Sequence, residues 1–103
     1  GSRFPDKLLL YSNKSRAEAL LADELVQLSK QNDFKIINIY ADEVVAGAEY
    51  GRIDKQALAR LVPDIADRDI FLCGPPPMMT ALRNAMIELG VPKSQIHFER
   101  FAL

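Results

Sequence analysis

Phe71-Leu72-Cys73-Gly74-Pro75-Pro76-Pro77-Met78-Met79 decides how the rest of the chain is read. A short apolar run stops at Cys73-Gly74, three prolines follow, and a helical pattern begins at Met78. The run has the length and composition of a buried strand. The prolines fix φ and remove three backbone donors, which makes the connection a stiff wall. Gly74 carries no side chain, so a flat ligand has room against its backbone. Pro77 suits the first helical position, and free first-turn amides around Met78 to Thr80 can face an anion. Strand, abrupt turn and helix together describe the carboxyl edge of an open α/β sheet, where such sheets bind ligands. A rigid turn with no ligand satisfies the same residues, and local chemistry weighs the two about equally.

Working outward, the flanking segments alternate. Lys7-Leu8-Leu9-Leu10-Tyr11 is a compact apolar run, as in a strand buried on both faces. Ser15 and Glu18 have the capping-box spacing, which predicts a helix with Ala17, Leu20, Leu21, Leu25 and Leu28 on its inner stripe, fading near Gln31-Asn32-Asp33. Phe34 to Tyr40 is β-branched and aromatic, a second strand. Ala41 to Gly51 has no clean period and reads as a loop. Asp54 is placed to cap a short helix that turns Leu58, Leu61 and Val62 inward and stops at Pro63-Asp64. Asp69 to Cys73 is a third strand. Met78 to Leu89 is a helix carrying Met78, Leu82, Ala85, Met86 and Leu89 on one face, with Gly90 at the left-handed cap position. Gln95 to Phe98 is a last short strand. This alternation predicts a three-layer α/β fold: a mainly parallel, Rossmann-like sheet of about four strands with helices on both faces.

Composition bounds the function. The 103 residues form one domain or a piece of one, burying somewhat over about 60% of the unfolded surface. A net charge of −1 gives no electrostatic case for nucleic acid. The lone cysteine excludes an internal disulfide and fits a reducing setting, cytoplasmic or at the cytoplasmic face of a membrane. No apolar run approaches the ~20 residues of a membrane span. No side-chain spacing suits a metal, and neither a nucleophile elbow nor a P-loop is present. Gly1-Ser2 reads as a cloning remnant, leaving 1–3 as lead-in and 4–103 as one partial domain.

Taken in order, Cys73-Gly74-Pro75-Pro76-Pro77-Met78-Met79, then Gly90-Val91-Pro92 and Ile96-His97-Phe98-Glu99-Arg100-Phe101, resemble the carboxyl-terminal part of the nicotinamide-dinucleotide-binding domain of the ferredoxin–NADP reductase family. Leu9 to Lys14 with Glu18 and Asp23-Glu24-Leu25 resembles that domain's second strand and helix, and Gly51-Arg52-Ile53 with Val62-Pro63-Asp64 resembles its middle. The resemblance implies a cofactor, NADH or NADPH, that delivers hydride to FAD or FMN in a neighbouring flavin domain. Electrons then leave singly to an iron–sulfur, haem or similar acceptor. It implies that Cys73 and Gly74 lie beside the nicotinamide, with Pro75 and Met79 shaping the pocket. Ser12, Asn13 and Lys14 would lie near the adenosine ribose. Glu99 and Phe101 would meet the flavin–nicotinamide contact, which makes Cys73 and Glu99 the candidate catalytic residues.

Several readings stay open at this stage. Lys14 and Arg16 could pair with a 2′-phosphate and favour NADPH, or simply point into solvent. No acidic residue directly follows the Tyr11 strand to mark NADH specificity. Cys73 could be a small buried hydrophobe, and His97 a half-buried structural histidine. Met78, Met79 and Met86 could be helix packing alone.

The family's first strand and its Gly-rich pyrophosphate turn have no counterpart in this sequence. That strand is normally central, so the remaining strands must close the gap or a second chain must fill it. The expectation is a fragment, inactive alone, of an NAD(P)H-dependent flavoprotein reductase. The alternative is a non-catalytic α/β module that associates with proteins, including a homo-oligomer through an exposed strand edge.

Overall fold

A computed structural model of the chain describes residues 7–32 and 34–98. Five parallel strands form one sheet in the order β3-β2-β1-β4-β5. They are β1 (Lys7–Asn13), β2 (Lys35–Tyr40), β3 (Glu49–Tyr50), β4 (Asp69–Cys73) and β5 (Ile96–Phe98). Three helices cover the sheet: α1 (Ala22–Asn32), α2 (Lys55–Leu61) and α3 (Pro76–Glu88). The three-layer parallel architecture is the one the alternating pattern predicts.

β1 and β4 pair directly, from Lys7 opposite Asp69 to Tyr11 opposite Cys73. The central gap expected from the missing strand is therefore closed by the strands that remain. They match because each carries an apolar side chain on both faces: Leu8, Leu10, Ile70 and Leu72 are fully buried, and Leu9 and Tyr11 nearly so. Closure brings the two strand ends very near each other. Gly74 has φ +154°, and a Cβ there would collide with the Ser12 carbonyl oxygen. Its missing side chain thus admits the chain's own backbone.

α2 and α3 enclose the larger core with Leu58, Val62, Met79, Leu82 and Met86 against Leu8, Leu10, Ile37, Ile39, Ile70 and Leu72. α1 covers the other face, packing Ala22 and Leu25 against Leu9, Tyr11, Tyr40 and Cys73.

Four local expectations shift. The sheet has a fifth strand, β3, inside the segment read as a loop; its two residues pair with Ile39 and Tyr40 and are too short to show alternation. Ser15 makes no side-chain cap; Arg16–Glu18 is a 3-10 turn, and α1 begins later, at Ala22. Leu20 and Leu28 accordingly lie at the surface, while Ala19 fills the core position. α3 begins at Pro76 rather than Met78, so Pro76 takes the first helical position and Pro77 the second.

Two expectations hold in detail. Asp54 Oδ1 accepts from Ala57 N at 2.9 Å, capping α2. Gly90 has φ +91°, and Val91 N closes the end of α3 on Met86 O at 3.0 Å.

Candidate functional site

The chain runs outward from β1 to β2 and β3, then returns to β4 and β5, so the topological switch lies between β1 and β4. Ligands of open α/β sheets sit outside the carboxyl ends of strands at such a point. A cleft of about 230 Å³ opens there, lined by Ser12 from β1, Ile39 and Ala41 from the end of β2, Gly51-Arg52-Ile53 after β3, and Pro77, Met78, Ala81 and Leu82 from α3. Its surface is mostly apolar, with Ser12 and Arg52 supplying polar groups. Ser12 is buried, its hydroxyl 3.6 Å from the Met78 sulfur. Arg52 is exposed at the rim.

The start of α3 is less suited to an anion than its sequence suggests. Pro76 and Pro77 have no N–H. Met78 N and Met79 N both donate to Pro75 O, at 3.0 and 3.1 Å. The donors that normally make a helix N-terminus attract phosphate are absent or already used. Arg52 is the cation that the cleft itself offers.

A second hollow, about 190 Å³, lies on the α1 side between Arg16, Ala22, Asp23, Val26, Asn38, Tyr40 and residues 45–48. Arg16 is engaged there: Nη2 meets Asp23 Oδ1 at 2.8 Å and Nη1 donates to Ala19 O at 3.2 Å. Burial pushes the Tyr40 hydroxyl above the ordinary tyrosine value; the Arg16 charge opposes this, while Tyr11, Asp23 and Glu43 add to it.

Among the sequence-predicted residues, Ser12 lines the cleft. Asn13 is buried on the opposite sheet face, and its Nδ2 has no hydrogen-bond partner in the structure. Lys14 is exposed, and Arg16 belongs to the second hollow. Cys73 packs in the α1-side core and Met79 in the α2–α3 core. Gly74 and Pro75 form the turn between β4 and α3. Glu99 and Phe101 lie outside the described residues. His97 pairs with Asp69 at 2.7 Å and stacks on Phe71 with ring centroids 4.8 Å apart, which ties β5 to β4. Gly51, Arg52 and Ile53 are cleft residues the sequence did not single out as a site. The signal for them was the Gly-Arg-Ile run directly before the Asp54 cap.

Residues 5–84 match the family described as the oxidoreductase NAD-binding domain. The chain belongs to that family. The NAD-binding domain also has close sequence relatives among reductases. It is 34% identical over 93 residues to the ferredoxin reductase component of 3-ketosteroid-9-alpha-monooxygenase from Mycobacterium tuberculosis, covering 90% of this chain and 25% of that protein. It is 33% identical over 91 residues to NADH-cytochrome b5 reductase 1 from Lodderomyces elongisporus, covering 84% of this chain and 30% of that protein. Among solved structures it resembles a flavohemoglobin from Malassezia yamatoensis with bound FAD and heme, at TM-score 0.67 and 34% identity over 92% of this chain and 24% of that one. The NAD-binding domain described here thus spans roughly a quarter to a third of the length of these relatives. These likenesses bear out both the ferredoxin-reductase resemblance and the fold read from the sequence.

Proposed function

We propose that the chain is the nicotinamide-cofactor-binding portion of a flavin-dependent oxidoreductase, one that passes hydride from NADH or NADPH to FAD or FMN and onward to a one-electron acceptor. The observation that carries this reading is the apolar cleft at the carboxyl edge of the parallel sheet, beside the switch between β1 and β4. Its volume of about 230 Å³ is below the range usual for a whole drug-sized ligand, which suits one nucleoside end of a dinucleotide better than all of it.

The residues present fit that end. Ile39, Ile53, Met78, Ala81 and Leu82 offer apolar surface to a base, and Arg52 offers charge to the pyrophosphate. The bound cofactor supplies the hydride. What this chain contributes is grip and orientation, with α3 and its proline turn as an inflexible wall. The flavin belongs to a partner domain, and the acceptor is an iron–sulfur, haem or similar centre. A homo-oligomer through a strand edge is not carried forward, because the edges β3 and β5 are two and three residues long.

Titrating the parent flavoprotein anaerobically with NADH and NADPH tests the proposal. Bleaching of the flavin absorbance is expected with at least one of them. A flavin that stays oxidised with both would sink it.

A further inference from the structure

Met78 is the oxidisable side chain that the cleft presents. The chain has three methionines and one cysteine. Met86 is fully buried and Met79 is 7% exposed, both inside the α2–α3 core, while Cys73 packs on the α1 side of the sheet. Of these four sulfurs, that of Met78 belongs to the half-buried residue that lines the cleft. Its main chain is fixed: Met78 N donates to Pro75 O at 3.0 Å, and Pro76 and Pro77 precede it in the first turn of α3. The side chain is thus anchored at the cleft wall.

The Ser12 hydroxyl meets this sulfur at 3.6 Å, although Ser12 itself is 1% exposed. A thioether is a weak acceptor, so a buried hydroxyl is left underused. A sulfoxide oxygen is a strong acceptor, and the rotatable bonds of methionine let it meet the same hydroxyl. Ile39, Ile53, Ala81 and Leu82 around them are apolar. An added S–O dipole held by Ser12 would therefore intrude on the surface offered to a base.

We propose that Met78 is a redox-sensitive site: oxidation of its sulfur by a hydroperoxide closes the cleft to the nicotinamide cofactor, and reduction of the sulfoxide reopens it. The inference rests on the cofactor reading above. In the closing step the peroxide O–O bond breaks and an S–O bond forms. Sulfur gives up two electrons, and the departing oxygen takes the proton and leaves as water or an alcohol. In the opening step a dithiol returns two electrons to sulfur, becomes a disulfide, and the oxygen leaves as water. Hydroperoxide is the species a reduced flavin releases when it meets dioxygen, so a flavoprotein generates the oxidant beside this cleft.

The test treats the 103-residue chain with limited hydrogen peroxide, removes the oxidant by desalting, and maps the added oxygen by peptide mass spectrometry. Met78 is expected to oxidise at least about tenfold faster than Met79, Met86 or Cys73. NADH and NADPH are then titrated into both forms while the amide shifts of Ala41, Gly51 and Ile53 are followed. Oxidation is expected to weaken binding about tenfold, and methionine sulfoxide reductase with dithiothreitol to restore it. Met78→Leu, compared with itself before and after peroxide, should keep one affinity. Ser12→Ala should oxidise at the same residue yet lose less affinity, because nothing then holds the oxygen in the cleft. Dispersed amide spectra show that each form is folded. The inference is overturned, and the cofactor reading left standing, by oxidation that starts at another residue, by an oxidised chain that binds as before or unfolds, by peroxide weakening Met78→Leu, or by an equal loss in Ser12→Ala. If neither dinucleotide shifts the cleft amides of the unoxidised chain, both fall together.

Discussion

Gly74 shows how a single residue records a constraint from distant chain. Its φ of +154° and the Ser12 carbonyl in the path of a Cβ both demand glycine. Gly90 has φ +91° but nothing within 4 Å of its would-be Cβ, so only backbone strain applies there. Gly74→Ala is expected to cost at least about 2 kcal/mol, and Gly90→Ala about 1 kcal/mol. Urea denaturation of both variants checks this, and equal losses would contradict the collision at Ser12. Tyr40 makes a pH prediction of a different kind. Burial raises its folded-state pKa, so the folded chain resists losing that proton more than the unfolded chain does. Stability is therefore whole below the ordinary tyrosine value of about 10 and declines as pH rises through the folded value. Tyr40→Phe should lose less stability than the unaltered chain between about pH 9 and 11. Thermal melts across that range read the difference. Asp64 has the opposite sign. Its contact with Arg68 lowers the carboxyl pKa, so this contribution is present above the ordinary carboxylate value and fades as pH falls.

At the scale of elements, the two ligand-edge helices start in contrasting ways. α2 is capped by a side chain, Asp54 onto Ala57 N. Removing the cap by Asp54→Ala should cost about 1 kcal/mol in denaturant unfolding, with Asp54→Asn close to the original. α3 is instead capped by the Pro75 carbonyl, with two prolines in its first turn. That design gives a rigid wall but leaves no amide for an anion, so the expected phosphate site at this helix does not form. The sequence shows the prolines; what it conceals is that both remaining amides turn back to one carbonyl. α1 teaches a related lesson. Ser15 and Glu18 have a helix-start spacing, but Ala19 is drawn into the core and the chain makes a 3-10 turn before the helix begins. Tertiary packing overrides a local signal worth about 1 kcal/mol.

For the whole molecule, binding should depend on Arg52, the cation that lines the cleft at the carboxyl edge of the sheet. In the parent flavoprotein, Arg52→Gln is expected to raise KM for the nicotinamide cofactor about tenfold while kcat changes little, because a lost charge-assisted contact is worth about 1.5 kcal/mol or more. Steady-state kinetics at two salt concentrations would check it, and a fall in kcat at constant KM would move Arg52 from binding to the reaction itself.

The alternation of apolar runs and helical stripes was enough to specify an α/β chain with a parallel sheet, because side-chain periodicity is a local property that each segment carries with it. The proline turn and the Asp54 cap were legible for the same reason. The direct pairing of β1 with β4, the two-residue β3, the engagement of Arg16 by Asp23, and the arrival of Ala41 and Asp42 beside Asn13 and Lys14 were decided in three dimensions. Each depends on which segments become neighbours. That choice comes from the joint burial of apolar strands and the satisfaction of backbone hydrogen bonds across the whole sheet, and no single stretch of sequence contains it.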